Sequence, residues 1–133
     1  LIDGVLGRGD FKTGTWQGYQ GRDLVAVVDL GEQQTINHVE INFLQDENSW
    51  IFMPDSVIIK ISEGGEVFQT IGAYTPKTGK RETGTIHENF KTIIQRTTTR
   101  YIQVIGRNIK NCPDWHKSAG GDCWIFADEI VIK

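Results

Sequence analysis

The segment Thr35–Leu44 reads TINHVEINFL and alternates between two kinds of residue. One parity holds Asn37, Val39, Ile41 and Phe43, and the other holds Ile36, His38, Glu40 and Asn42. A period of two residues is typical of a β-strand with one buried face and one polar face. The segment therefore predicts a half-buried strand, and its neighbours along the chain extend that prediction to the whole protein.

Strand-like segments lie on both sides of it and are separated by glycine-rich turns such as Glu63–Glu66. They are Leu24–Leu30, Val57–Ser62, Val67–Tyr74, Thr85–Phe90, Arg100–Gly106 and Ile125–Lys133. No segment has the pattern of an amphipathic helix longer than about two turns. The chain is therefore predicted to be all-β, an antiparallel β-sandwich or jelly roll of about eight strands. Residues 1–23 are expected to form a long ordered loop.

The bulk composition narrows the class of protein. A length of 133 residues fits one domain, residues 1–133, and a net charge of −3 does not favour nucleic acid as a partner. No run approaches the roughly 20 apolar residues of a membrane span. The chain opens at Leu1 without an initiator Met, so we expect a piece of a longer protein. Nothing indicates oligomerisation, and we expect a monomer.

The segment Asn111–Glu129, NCPDWHKSAGGDCWIFADE, is the most distinctive loop. It holds both cysteines, Cys112 and Cys123, and we predict a disulfide between them, which would stabilise the fold by about 3 kcal/mol. A disulfide indicates an oxidising compartment. The alternative is a pair of free, buried thiols. A zinc site is disfavoured because two thiols and one nearby His fall short of the usual ligand set.

Aromatic residues fall in three separate loop regions, and loops from alternate strands of a sandwich meet at one end. The aromatic candidates for a sugar-binding platform are Trp16, Tyr19, Trp50 and Trp115. The polar candidates for bonds to sugar hydroxyls are Gln45, Asp46, Asn48, Asp114 and His116. The alternative is that each Trp plugs an end of the core. We favour this alternative for Trp124, and for Trp16 the two interpretations are equally supported.

Catalytic motifs are missing from the sequence. It contains no GxSxG, HExxH, CxxC or phosphate-cradling glycine motif. Its 17 acidic residues produce accidental pairs, most of them solvated, so a glycosidase-like pair of carboxylates carries little weight. We therefore predict that this chain is not an enzyme.

Hard oxygen donors cluster in the N-terminal loop and before the last strand. They are Asp3, Asp10, Thr13, Thr15 and Glu129. Ca²⁺ takes six to eight oxygen ligands in loose geometry, and such an ion could tie this loop to the last strand. The alternative is solvated loop acids, with Asp10 as a turn former.

The layout resembles a known family. The opening LIDG, a glycine-rich loop ending in TW, the VVDLG and INHVEI strands and the closing ADEI look like the discoidin domain, also called the coagulation factor 5/8 type C domain. The resemblance covers essentially the whole chain. The segments TWQGYQGRDL, FLQDENSWIFMP and CPDWHKSAGGDCWIFADEI are similar to family 32 carbohydrate-binding modules appended to bacterial β-hexosaminidases of glycoside hydrolase family 20.

The resemblance implies a galactose-binding-like β-sandwich and a structural Ca²⁺ ion near the N-terminal loop. Carried over by position, its side-chain ligands are Asp3, Thr15 and Glu129, and main-chain carbonyls near Leu1, Asp10 and Ala127 complete the shell. The loop between Asp3 and Thr15 is longer than the family pattern. That departure affects the register of Asp10 and Thr13.

Four functions compete. The first is a non-catalytic module that binds terminal sugars, galactose or N-acetylhexosamine, and targets an attached glycoside hydrolase in a bacterial periplasm, on the cell surface or outside the cell. The second is a structural domain that packs against its parent enzyme. Phospholipid binding through Trp50–Met53 is disfavoured because the neighbouring residues are acidic. Catalysis is the fourth.

Overall fold

The computed structural model describes all residues from 1 to 133 and is built from strands. They are β1 (Gln17–Gln20), β2 (Leu24–Gln45), β3 (Ser56–Ser62), β4 (Gln69–Tyr74), β5 (Ile86–Arg107) and β6 (Trp124–Ile132). Two short 3-10 helices, Phe11–Thr13 and Glu47–Ser49, lie in the connections. Neither helix has the length or the apolar character that crossing a bilayer requires.

Two long strands, β2 and β5, join the two layers of a sandwich. The six strands form one antiparallel sheet in the order β1-β6-β2-β5-β3-β4. Shifts in the β2–β5 register between Asp29 and Gln34, and between Ile36 and His38, interrupt the pairing midway. The first part of β2 and the last part of β5 therefore lie with β3 and β4, while the remaining parts lie with β6 and β1.

The two layers meet across a single apolar core. The Tyr74 hydroxyl on β4 lies 2.8 Å from the Thr92 hydroxyl on β5, which joins opposite layers. Gly106 faces Phe43 so closely that a Cβ there would lie 2.9 Å from the Phe43 ring. Apolar side chains from both layers fill the interior, including Leu24, Val28, Ile36, Val39, Ile41, Phe43, Val57, Ile59, Phe90, Ile102, Val104, Ile125 and Ala127.

The predicted fold class is confirmed, and the strand pattern of Thr35–Leu44 is confirmed with one shift of phase. Val39, Ile41 and Phe43 are buried as the alternation predicts. Ile36, assigned to the polar face, is also buried, because the register shift between Ile36 and His38 turns the chain by one residue.

The number and bounds of the strands differ from the prediction. Leu24–Leu30 and Thr35–Leu44 are one strand, since β-pairing resumes after Gly31, whose φ is +85°. Thr85–Phe90 and Arg100–Gly106 are likewise one strand. The expectation that residues 1–23 form only a loop is wrong, because Gln17–Gln20 pairs with β6. Glycine content hid this edge strand: Gly18 lets the Trp124 and Phe126 rings pack against its backbone.

A second apolar cluster covers part of the outer face of the β1–β6–β2 layer. Trp16, Leu44 and Ile51 form its buried centre, with Phe11, Trp124 and Phe126 packed around them. The N-terminal loop covers this cluster, and Gly7 lies so near the Trp16 ring that no Cβ would fit there. Trp16 is therefore buried, but in a cluster on the outer face of the sheet and not at an end of the main core, where the plug alternative places it.

Candidate functional site

Three connections meet at one end of the sandwich, which we call the loop end: residues 46–55, 76–84 and 108–123. The His116 Nε2 atom lies 2.7 Å from the Glu47 carbonyl oxygen, which joins the first connection to the third. The Gln45 amide donates to the Gly79 carbonyl at 2.8 Å, joining the start of the first to the second. The Arg81 guanidinium lies 4.5 Å from the centre of the Trp115 ring and joins the second to the third.

His116 supports the loop end from inside. Its side chain is 1% exposed. The Nδ1 atom accepts the Ser118 N–H at 3.1 Å, which leaves Nε2–H to donate to Glu47. Both ring nitrogens are therefore used within the protein. The prediction that His116 bonds a sugar hydroxyl is wrong for this arrangement, because the imidazole has neither exposure nor a free nitrogen.

Gln45 is also a support. It is fully buried, its amide donates to Gly79, and its carbonyl oxygen accepts the Met53 N–H at 3.1 Å. These bonds satisfy a polar group that would otherwise be costly to bury. Its predicted contact with a ligand is wrong for the same reason as that of His116.

Trp50 is the large apolar side chain that the loop end presents to solvent. It is 38% exposed and follows the short helix Glu47–Ser49. Its φ is +65°, a left-handed conformation that bulky residues rarely adopt. The Trp50 carbonyl accepts the Trp124 N–H at 2.9 Å, and the neighbouring residues Asp46 and Ile51 pair with each other. These bonds hold Trp50 in its strained conformation, which is more common at functional sites.

The remaining predicted polar residues differ in exposure. Asn48 is exposed, and its side-chain oxygen accepts from Lys117 at 2.6 Å. Asp114 is exposed on the facing connection. Asp46 is half-buried, and its backbone forms the bridge to Ile51. The structure thus brings Trp50, Asn48 and Asp114 onto the connections of one end, as predicted, while leaving Asp46 partly covered.

Trp115 is half-buried between aromatic edges and a cation. Its ring meets Phe52 and His116 in edge-on geometry, with centroids 6.3 and 6.0 Å apart. The Arg81 guanidinium lies over the ring. Arg81 therefore belongs to the immediate surroundings of Trp115, although it is not among the predicted site residues. The signal available in the sequence is the basic run Lys80-Arg81 in the second connection.

The two other aromatic candidates, Trp16 and Tyr19, are each at least partly buried. Trp16 is 7% exposed within the outer cluster, so its predicted contact with a ligand is wrong. Tyr19 packs against the main core from β1, and its hydroxyl bonds Gln17 at 3.2 Å. Burial raises the pKa of Tyr19, and Arg22 nearby offsets part of that rise. Tyr19 is half-buried, with the Arg22 guanidinium 5.3 Å from the centre of its ring, and its role as a sugar platform stays a prediction.

The cysteines are free thiols, so the predicted disulfide is not formed and the alternative of two buried thiols describes this structure. Cys112 and Cys123 pack with Phe52 in a small buried cluster under Trp115. Burial raises the pKa of the Cys123 thiol well above its usual value, and a hydrogen bond with Cys112 raises it further. Both thiols therefore act as small apolar side chains that support the loop end.

The predicted calcium ligands form two separate groups. Asp3 and Glu129 lie together, but the Glu129 oxygens accept the N–H groups of Asp3 at 3.1 Å and Gly4 at 2.8 Å. The Leu1 carbonyl accepts the Ile130 N–H at 2.6 Å. Ala127 lies within the sheet, paired with Phe43 and Gln17.

The second group lies around the turn at Asp10. The Asp10 carboxylate accepts the Lys12 N–H at 2.9 Å, as the turn-former alternative predicts. The Thr15 hydroxyl bonds the Thr13 hydroxyl at 2.7 Å. No three Asp, Glu, His or Cys side chains converge here, although the predicted shell also relies on hydroxyls and main-chain carbonyls. As folded here, these residues do not fit a Ca²⁺ shell, because N–H donors occupy the oxygens that a cation would need.

No family model matches the sequence, and no curated protein matches it. Solved structures do match. The family 32 carbohydrate-binding module of AlyQ, in complex with 4,5-unsaturated mannuronic acid, has a TM-score of 0.55 at 18% identity, over 99% of this chain and 81% of that chain. Module CBM32-6 of CpGH89, produced by Clostridium perfringens, has a TM-score of 0.53 at 12% identity, over 87% and 75%.

A third match is module CBM32-1 from a family 31 glycoside hydrolase of Clostridium perfringens, with a TM-score of 0.52 at 12% identity, over 96% of this chain and 80% of that chain. The chain has the discoidin-like fold of family 32 carbohydrate-binding modules. Identities this low establish the CBM32 fold alone, since one fold serves many functions. The ligand must be argued from the loop end itself.

Proposed function

We propose that this chain is a non-catalytic carbohydrate-binding module that recognises terminal sugars of the galactose or N-acetylhexosamine type through its loop end. The CBM32 fold supports this class of function, since a module with the same fold was solved with a bound sugar derivative. We further propose that the module targets an attached glycoside hydrolase to its glycan, in the periplasm, on the cell surface or outside the cell.

The observation that carries the proposal is Trp50. An indole that is 38% exposed and held at a positive φ is costly to keep unless its presentation is used. Its flat face suits the C–H face of a pyranose. Asn48 and Asp114 stand on the same end as donors and acceptors for hydroxyl groups. Buried Gln45 and His116 hold the connections that carry these groups.

Binding to a single sugar should be weak. A shallow surface site fixes few groups, so little of the contact energy remains after the ordering costs of binding. Attachment to a hydrolase, or several modules on one chain, would raise the effective affinity by multivalency.

The test is a glycan array on the isolated chain, followed by titration calorimetry of the sugars that bind. Trp50→Ala should abolish binding while the fold, measured by circular dichroism, is unchanged. Val67→Ala is the matched control, because Val67 is 86% exposed in the β3–β4 turn at the opposite end. A well-folded protein that binds no sugar at millimolar concentration would contradict the proposal.

A packing domain is the second candidate, and one surface favours it. Val25 and Val27 on β2 are 59% and 52% exposed. Next to Val25 across the sheet lie Ile105 on β5, which is 9% exposed, and Ile58 on β3, which is half-buried. Such a face is suited to contact with another domain. Val27→Asp should then weaken binding to a parent hydrolase in a pull-down experiment, and Trp50→Ala should not. The opposite pattern would support the sugar-binding function.

A further inference from the structure

Arg81 at the loop end is an arginine without an acidic partner. Arg100 and Arg107 contact Asp29 and Asp23, at 2.8 and 3.6 Å respectively. Arg81 takes part in none of the salt bridges of the structure, so no carboxylate oxygen lies within 4.0 Å of it. Its contact is the Trp115 ring. A guanidinium stacked on an indole keeps the donors at its edge available.

A fixed turn presents Arg81. The Glu82 N–H donates to the Gly79 carbonyl at 3.1 Å and closes the turn Gly79–Glu82. The Gly79 N–H donates back to the Glu82 carboxylate, and buried Gln45 also bonds the Gly79 carbonyl. The side chain is therefore carried by a rigid support, which lowers the ordering cost of binding through it.

The acidic groups nearest in sequence are already used. Glu82 accepts the Gly79 N–H, and Glu88 accepts the N–H groups of Lys77 and Thr78 and the Thr78 hydroxyl. Lys77 and Lys80 are exposed in the same connection. A cavity of about 290 Å³ beside the turn is lined in part by Thr78, Gly79 and Lys80. Three exposed cations, Lys77, Lys80 and Arg81, thus lie in this connection, and Asp55 is the acidic residue that lines the same cavity.

We propose that the loop end binds an acidic sugar, a uronate, whose carboxylate pairs with Arg81 in bidentate geometry while the Trp115 ring supports the guanidinium from its other side. This inference rests on the proposed function and specifies its ligand class. A planar guanidinium matches a carboxylate through two parallel hydrogen bonds, which are among the stronger bonds in proteins. Lys80 adds long-range attraction.

The test compares methyl galacturonoside with methyl galactoside, which differ at C6 alone, by calorimetric titration at low salt. The uronate should bind roughly tenfold more tightly, in line with the strength of bidentate pairs. Arg81→Gln should remove that advantage and leave the affinity for the galactoside nearly unchanged. Arg81→Lys should keep only part of it, because an ammonium lacks the planar pair of donors.

Arg96→Gln is the matched control, since Arg96 is also exposed and unpaired but lies in the bend of β5 at the opposite end. It removes the same charge and should leave the uronate advantage intact. Equal affinity for the two sugars would overturn the inference and leave the sugar-binding function standing. An advantage that survives Arg81→Gln would overturn it too. Binding of neither sugar would also overturn the uronate inference, while the glycan array decides the sugar-binding function separately.

Discussion

The N-terminal loop and the loop end have different kinds of contact at their centres. The N-terminal loop is held by carboxylates: Glu129 accepts the N–H groups of Asp3 and Gly4, and Asp128 accepts the Gly7 N–H at 3.0 Å. The loop end is held by apolar packing, with Phe52 and both thiols buried beneath Trp115. The N-terminal loop also packs Phe11 and Gly7 against the outer cluster, and the loop end also has the hydrogen bonds of His116 and Gln45. The two regions therefore differ in which kind of contact lies at the centre.

In both regions, residues with the chemistry of ligand contacts serve as internal supports. A carboxylate can be a metal ligand or an acceptor of N–H groups, depending on what surrounds it. The Glu129 carboxylate accepts the N–H groups of Asp3 and Gly4. A histidine can contact a sugar or support the fold from inside. His116 supports the fold, because its two ring nitrogens are hydrogen-bonded to Glu47 and Ser118. Hydrogen-bond partners, which sequence does not display, distinguish the two roles.

The largest expected loss of stability comes from a substitution in the packed centre of the loop end. Phe52 is fully buried between Trp115, His116 and the thiols, so Phe52→Ala leaves a cavity. We expect a loss of about 3–5 kcal/mol in the free energy of unfolding, measured by urea denaturation. The control Val67→Ala should change it by less than about 0.5 kcal/mol. A loss below about 1 kcal/mol for Phe52→Ala would mean that packing does not hold the loop end.

The next largest loss of stability is expected from a substitution among the carboxylates that hold the N-terminal loop. Asp128 is 3% exposed and accepts the Gly7 N–H, the Asn42 N–H and the Asn42 amide. Asp128→Ala leaves these donors without partners, and we expect a loss of about 2 kcal/mol. Hydrogen exchange should quicken at the Gly7 amide and stay slow in the loop end. Equal acceleration in both regions would show that the two are one cooperative unit.

The fold was largely predictable because it depends on residue periodicity. The alternation at Val39, Ile41 and Phe43 reports which side chains enter the core, and the structure confirms it. Joining two predicted strands into β2 was not predictable, because a glycine such as Gly31 marks a turn and a bend within a strand equally well. The short strand at Gln17–Gln20 has too few side chains to show a period.

The candidate site was predictable in place but not in detail. The sequence indicates that Trp50 and Trp115 lie on loops that meet, and the structure joins those loops through Glu47 and His116. It does not indicate that Gln45 points inward, since a polar residue at the end of a strand is equally compatible with either direction. Arg81 was missed because a cation over an aromatic ring is a contact between distant segments.

A smaller effect is expected from a change of pH, which should alter the turn in the second connection, residues 76–84. Burial alone would raise the pKa of Glu88, but hydrogen bonds from Thr78 and Lys77 outweigh it and lower the pKa below the usual 4.5. A carboxyl group with a lowered pKa in the folded state stabilises above its unfolded pKa and loses that contribution as pH falls through the folded value. The turn that carries Arg81 should therefore loosen in acid while the core strands remain paired.

The measurement is an NMR titration from neutral pH to acid that follows the Thr78 amide and the Trp115 indole N–H. Both signals should move together below the usual carboxyl pKa. Glu88→Gln should remove this transition, because glutamine does not titrate. An unchanged Trp115 signal alongside a moving Thr78 signal would show that the turn does not position Arg81 over the ring.

The smallest expected effect concerns calcium and addresses the N-terminal loop directly. A ligand that binds the folded state raises the melting temperature as its concentration exceeds its Kd. With Glu129 bonded to two N–H groups and the Thr13 and Thr15 hydroxyls bonded to each other, Ca²⁺ would have to displace existing bonds. We therefore expect millimolar Ca²⁺ or a chelator to shift the melting temperature by no more than about 1 °C. A rise of several degrees that Asp3→Asn abolishes would contradict this expectation. It would mean that Asp3 and Glu129 exchange their N–H donors for the ion, and that the bonds from Asp3 and Gly4 to Glu129 belong to the metal-free form of a calcium site.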